Sequence, residues 1–238
     1  VPEDRPEIEQ QPVIMSQLVS VIPDLDITVS HDEIRRLLGY DAFPLPARVQ
    51  AIIREIEGDA ASLLAPVGAY RLMKKNAYAH SGYLGALDEI ALCLVTIGPN
   101  LESAVSRCRQ AGDLSRAIIL DCYGSAAAEA AAEKAEMIIL KEIRGMGLHG
   151  SRRFSPGYGG WDVAEQAWVL SALDAAAIGV RLTTHCMMIP RKSVTFALAI
   201  GESPVQLRDA NVCSFCGMVD CHMRHTTRKC FGGRKNDE

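Results

Sequence analysis

The stretch Arg152-Arg153-Phe154-Ser155-Pro156-Gly157-Tyr158-Gly159-Gly160-Trp161 gathers two arginines, three aromatics and three glycines around one proline. That composition suits a loop better than a core. Pro156 fixes one φ and removes a donor, while the glycines allow positive φ and close approach of a ligand to the backbone. Arg153 offers a planar fork for a carboxylate or phosphate. Tyr158 and Trp161 offer flat faces with a polar handle. On residue types alone the stretch is either an ordinary turn between helices or a ligand cradle.

Outward from this loop, the segment before it is the strongest helix signal in the chain. Ser115 to Arg144 contains no proline, and Ala126–Ala132 is nearly all alanine around Glu129, with Glu133 and Glu136 following. Small side chains on such a helix let another backbone or a ligand come close. Gly124 is expected to break or bend it near its start, and Gly145-Met146-Gly147 to end it. After the loop, Ala164, Ala167, Trp168, Leu170, Leu173 and Ile178 predict an amphipathic helix closed by Gly179. Val180–Ile189 and Ser193–Ile200 predict two strands joined tightly through Pro190-Arg191-Lys192.

Nearer the N-terminus, residues 1–24 read as a loosely ordered arm, with one edge strand within Val13–Met15 or Leu18–Ile22. Ser30 and Glu33 have the spacing of a capping box for a helix through Leu38. Val49, Ile52, Ile53 and Ile56 form the apolar stripe of a second helix that starts near Pro46, is interrupted at Gly58 and resumes to Pro66. Residues 67–80 alternate weakly, as a strand does, with Lys74-Lys75 as a solvated turn. Ile90–Ile97 is a continuous apolar run expected to be a buried strand, followed by a helix capped by Asn100. The class expected is α+β, a mixed or antiparallel sheet with packed helices. The expected units are an arm (1–24), a helical leader (25–84), a core (85–205) and a Cys-rich tail (206–238).

The 238 residues carry a formal net charge of −4, which excludes a global basic field for nucleic acid. No apolar run reaches the roughly 18–20 residues of a membrane span. The first twenty residues are acidic and rich in Pro and Gln, unlike a signal peptide. Four of the eight cysteines, Cys213, Cys216, Cys221 and Cys230, crowd into the tail. That clustering fits one metal site in a reducing cytoplasm better than a disulfide framework. The spacing suits four thiolates on zinc or an iron–sulfur cluster, with His222 and His225 as substitutes at a zinc site. Free or oxidised thiols are the remaining alternative. Nearby Arg224, Arg228, Lys229, Arg234 and Lys235 are either a solvated face or a counter-charge to a thiolate cluster.

The run Arg153-Phe154-Ser155-Pro156-Gly157-Tyr158 resembles the Arg-x-x-Pro-Gly-Tyr signature of the activation domain of cobalamin-dependent methionine synthase. The Ala/Glu helix resembles the family helix that carries an acidic ligand contact, with Glu129 the best match. Met188-Ile189-Pro190-Arg191-Lys192-Ser193-Val194 resembles the family's Met-x-Pro-x-x-Ser-Val connection. The resemblance covers about residues 85–201, and Ile34–Ala79 resembles the leader of short stand-alone members.

The resemblance implies a domain that binds S-adenosylmethionine and supports reductive methylation of an inactive cob(II) corrinoid on a partner. It implies Arg153 on the methionyl carboxylate and Glu129 on the α-amino group or a ribose hydroxyl. The backbone at Ser155, Gly157 and Gly159 would lie close to the ligand around the fixed Pro156, with Tyr158 beside adenosine or corrin. No Asp-x-His-x-x-Gly cobalamin motif is present, so the implied partner is a corrinoid protein or a methionine synthase lacking its own activation domain. Flavodoxin or ferredoxin is the implied electron donor, unless an iron–sulfur cluster in the tail relays electrons. The chain also departs from the large enzymes: Gly201–Arg208 passes directly into the Cys tail, where they continue with further sheet and helix. Two other classes compete with a reactivase, namely a docking module without S-adenosylmethionine binding and an iron–sulfur electron carrier.

Overall fold

The continuous apolar run becomes β3 (Glu89–Thr96), buried on both faces. In the computed structural model, which describes residues 18–40, 43–78 and 81–204, β3 lies at the centre of a five-stranded antiparallel sheet. Its neighbours are β2 (Val67–Lys74) and β7 (Ser193–Gly201), and two short strands, β1 (Ser20–Ile22) and β4 (His149–Gly150), form the edges. The order is β1-β2-β3-β7-β4. Register is set by Cys93 opposite Tyr70 on one side and Phe196 on the other. Edges of three and two residues leave little unpaired backbone for aggregation. The α+β class is observed, with every strand pairing antiparallel.

Strand alternation explains why β3 reads as a run and not as an amphipathic pattern. Ala91, Cys93 and Val95 face one core, together with Phe196, Leu198 and Ile200 of β7. Helices α1 (His31–Leu37), α2 (Ala47–Gly58), α4 (Asn100–Gln110) and α5 (Leu114–Gly145) cover that face. Ile90, Leu92 and Leu94 face a second core with Ala197, Trp161 and residues of α6 (Gln166–Ala172). The short α3 (Ala60–Leu63) follows α2 after Gly58, as the stripe predicts.

Several expectations hold in detail. Ser30 caps α1, its side chain accepting from the Glu33 N–H. Leu18–Ile22 contains the edge strand, which pairs with β2. Strands from the arm and the leader therefore belong to the same sheet as those of the core.

Others are corrected. Asn100 is the first residue of α4, not its cap, and its side-chain amide donates to the Ser62 carbonyl. Gly124 does not break α5, which runs unbroken for 32 residues. Its missing side chain admits Leu101 of α4, whose Cδ2 would lie 2.5 Å from a Cβ at that position. The helix predicted through Ile178 is interrupted: a 3-10 turn precedes α6, Asp174 takes φ 47°, and a second turn ends at Gly179. Residues 180–189 are not one strand. They hold β5 (Arg181–Leu182) and β6 (Met188–Ile189), which pair with each other in a separate ribbon. β7 pairs with β3 and β4.

The proposed metal ligands Cys213, Cys216, Cys221 and Cys230 lie outside the described residues. Among the described residues no group of three or more His, Cys, Asp or Glu is arranged to hold a metal ion. Among them, too, no helix is long and apolar enough to cross a membrane.

The α4–α5 contact makes a direct test. Glycine inside a helix ordinarily costs about 0.5–1 kcal/mol relative to alanine. At position 124 the fully buried Leu101 removes the room for a side chain. Gly124→Val is therefore expected to destabilise the fold by about 2 kcal/mol through overpacking, seen as a lower urea midpoint.

Candidate functional site

Alternation along the chain that leads out of α5 decides where Arg153 points. After β4 the backbone stays against β7. The Ser151 N–H donates to the Ala199 carbonyl at 2.8 Å, and Phe154 exchanges hydrogen bonds with Ala197 at 3.0 and 2.8 Å. Phe154 packs into the second core. Its neighbour Arg153 turns the other way, onto α5.

There α5 presents a polar stripe, Asp121, Ser125, Glu129, Glu133 and Glu136, at helical spacing on an otherwise alanine-rich surface. Arg153 Nη2 donates to Glu129 Oε2 at 2.8 Å. Its Nε lies 3.5 Å from Glu136 Oε2, and its backbone N–H donates to Glu136 Oε1 at 3.3 Å. The Glu136 side chain is 18% exposed and that of Glu129 48%. Glu136 is thus the inner partner of the arginine and Glu129 the outer one. Further toward the N-terminus of the helix, Lys192 Nζ donates to Ser125 Oγ at 2.7 Å and pairs with Asp121 at 3.1 Å. One stripe of α5 therefore receives both the Arg153 loop and the Pro190–Ser193 connection. The Lys192 N–H also donates to Glu102 of α4, and Ser193 Oγ donates to the Pro190 carbonyl. The connection is an anchor for β7.

A cleft of about 500 Å³ opens beside Arg153. Ala126, Glu129, Ala130 and Glu133 of α5 form one wall. Thr28, Ser30, Asp32, Arg35 and Arg36, around the start of α1, form the other. Ala126 and Ala130, four residues apart, keep the α5 wall low, and the cleft opens beside the contact that α1 makes with α5. Arg35 and Arg36 are engaged with Asp32 and Glu33 of their own helix.

The turn that follows Arg153 is tightly built. Tyr158 N–H donates to the Ser155 carbonyl, Trp161 N–H to that of Tyr158, and Gly157 N–H to that of Trp161 at 2.7 Å. Gly157 and Gly160 adopt φ of 89° and 91°, which a side chain would strain. Pro156 is buried and Ser155 half-buried, while Gly157, Tyr158 and Gly159 are exposed. Beneath the turn, Trp161 is 1% exposed and stacks on Tyr83, with ring centroids 6.0 Å apart and planes 1° from parallel. Phe154 tilts against both rings. The Trp161 indole donates to Glu165 at 2.9 Å. Of the sequence-derived site residues, Glu129 and Arg153 meet in the cleft wall, and residues 155–159 form the turn beyond it. Glu136 and Tyr83 were not singled out by sequence. For Glu136 the signal is its spacing of seven residues from Glu129; for Tyr83 nothing local announces the stack.

The model of the family described as vitamin B12 dependent methionine synthase, activation domain, matches residues 74–203. The chain belongs to this family. The match begins somewhat earlier than the expected 85–201 and takes in the end of β2. A crystal structure of the MetH reactivation domain bound to AdoHcy is similar in fold, with a TM-score of 0.58 and 16% identity over 79% of this chain and 80% of that one. No curated protein matches the chain. The family match thus includes α5 and the loop that carries Arg153, whereas the second cleft wall, Thr28 to Arg36, lies before it.

Cys93 sits in β3 with Arg153 and Glu136 as its nearest charges. Burial pushes its thiol well above the ordinary 9.0, outweighing the opposing pull of Arg153. Burial, with the hydrogen bond to Glu142, raises Tyr70 from 10.0 to about 12. Both groups hold their protons more tightly folded than unfolded. Their contribution to stability is complete below the unfolded values and is lost as pH rises above them. Folding stability is expected to decline as pH rises past 9.0 and 10.0, measurable as a falling urea midpoint. Cys93 should also resist alkylation in the native protein at pH 8, read by mass spectrometry, and react only after unfolding.

Proposed function

We propose that this activation domain binds S-adenosylmethionine beside Arg153 and supports reductive methylation of a corrinoid held by a partner protein. The observation that carries this reading is the Arg153–Glu129 pair at the cleft wall, on the loop that bears the family signature. An α-amino acid headgroup has a carboxylate and an ammonium a few ångströms apart. Arg153 and Glu129 offer the complementary charges in the same arrangement, so the headgroup can replace each residue's partner with one of its own charges. The backbone of Ser155, Gly157 and Gly159 approaches the ligand around the fixed Pro156, and exposed Tyr158 packs beside adenosine or the corrin. The AdoHcy in the similar MetH structure supports a ligand of this class.

The chemistry is supplied from both sides. One electron reduces the cob(II) corrinoid of the partner, and the sulfonium methyl then passes to the reduced cobalt, releasing S-adenosylhomocysteine. The chain's own contribution is positioning: it holds the methyl in line with the partner's cobalt and excludes water from the approach. The partner is a corrinoid protein or a methionine synthase without its own activation domain, served by a flavodoxin or ferredoxin, in the cytoplasm. Residues 85–205 supply Arg153, Glu129 and the loop, and the leader supplies the opposite cleft wall. Residues 206–238 act as a metal-binding tail on Cys213, Cys216, Cys221 and Cys230, either an iron–sulfur relay or a zinc clamp.

Calorimetric titration with S-adenosylmethionine tests the main reading. Binding is expected, and Arg153→Ala should weaken it by about 1.5–3 kcal/mol. A folded wild-type protein that binds nothing, with or without a corrinoid partner, rejects this reading in favour of a docking module. For the tail, anaerobic purification with iron and sulfide analysis and EPR of the reduced protein is expected to reveal a cluster. A colourless protein with stoichiometric zinc excludes the relay.

A further inference from the structure

Glu136 is the half-buried acid that the reading above leaves without a task. It contacts Arg153 at both the backbone N–H (3.3 Å) and the side-chain Nε (3.5 Å). It therefore constrains the start of the side chain as well as its charged end. The guanidinium has five donors in one plane. With Nε near Glu136, Nη2 at the outer end of the fork donates to Glu129 in the cleft wall. Beneath them lies Cys93, fully buried in the apolar centre of the sheet, so little water competes from below. A fork held at its inner edge loses less rotamer entropy when its outer edge captures a ligand.

We propose that Glu136 is a positioning residue that aims Arg153 so that Arg153 and Glu129 together read the zwitterionic α-amino acid end of the ligand. The proposal rests on the S-adenosylmethionine reading and adds a specificity to it. Glu136, Arg153 and Glu129 select for the amino acid headgroup and contribute little to recognition of the nucleoside. A sulfur-linked adenosine without the headgroup makes no use of Arg153, so its binding is insensitive to Glu136.

The test compares S-adenosylhomocysteine with 5′-methylthioadenosine by calorimetry, using the full chain. The proteins are wild type, Glu136→Gln, Arg153→Ala and the double variant, each checked for folding by its thermal midpoint. Glu136→Gln is expected to weaken S-adenosylhomocysteine binding about tenfold or more and to leave methylthioadenosine binding unchanged. In the Arg153→Ala background the same substitution should have no further effect, because Glu136 acts through the arginine. Glu136→Asp keeps the charge but shortens the reach, and should show the same selectivity in a different side chain. Equal loss of both ligands, or additive effects of the two substitutions, overturns the assignment while leaving the binding reading intact. Absence of S-adenosylhomocysteine binding by wild type is a failure of the binding reading itself.

Discussion

The structure depends on a cation held between two carboxylates over an apolar sheet. Arg153 meets Glu136 and Glu129 of α5 while its own backbone is tied to β7 through Phe154 and Ser151. A charge so close to a core is costly unless it is paired and hydrogen-bonded. Here the pairing ties the start of the loop, itself hydrogen-bonded to β7, to the longest helix. Lys192 repeats the device toward the other end of the helix, on Asp121 and Ser125. Two segments that follow α5 in the chain are therefore docked on one polar stripe.

That stripe works because the rest of α5 is small. Ala127, Ala131, Ala132 and Ala135 are fully buried against the sheet, and alanine combines high helix propensity with close approach. Gly124 extends the same logic to the crossing with α4, where Leu101 occupies the space of the missing side chain. On the side facing α1, buried Ala126 and half-buried Ala130 present only small side chains to the cleft that opens beside the α1 contact. One residue type thus produces tight packing on one face and a binding-sized opening on another.

Much of this was legible in the chain. The β3 run, the α2 stripe, the Ser30 cap and the long α5 each rest on periodicity or local hydrogen bonding, which a single segment expresses by itself. Errors arose where a partner elsewhere decided the outcome. Gly124 read as a break because its contact, Leu101, is distant in sequence. Val180–Ile189 read as one strand joined to the next through Pro190-Arg191-Lys192, but β7 has neighbours on both edges, and 181–189 folds back on itself as a ribbon. Asn100 read as a cap, yet the Ser62 carbonyl claims its amide.

The same division runs through the site. By itself the sequence determined that Arg153, Pro156, Gly157 and Tyr158 lie in a loop after an acidic alanine helix, because residue type and spacing carry that information locally; on residue types alone a plain turn and a ligand cradle read alike. Only the tertiary structure decided which acids the arginine meets. Glu129 and Glu136 lie two helical turns apart on α5, and it is the register of Phe154 on Ala197 that turns the Arg153 side chain between them. It also decided that Tyr83, from a separate turn, supports the loop through Trp161, and that the start of α1 forms the opposite wall of the cleft. These are long-range juxtapositions set by strand register and helix packing, and no local pattern encodes them.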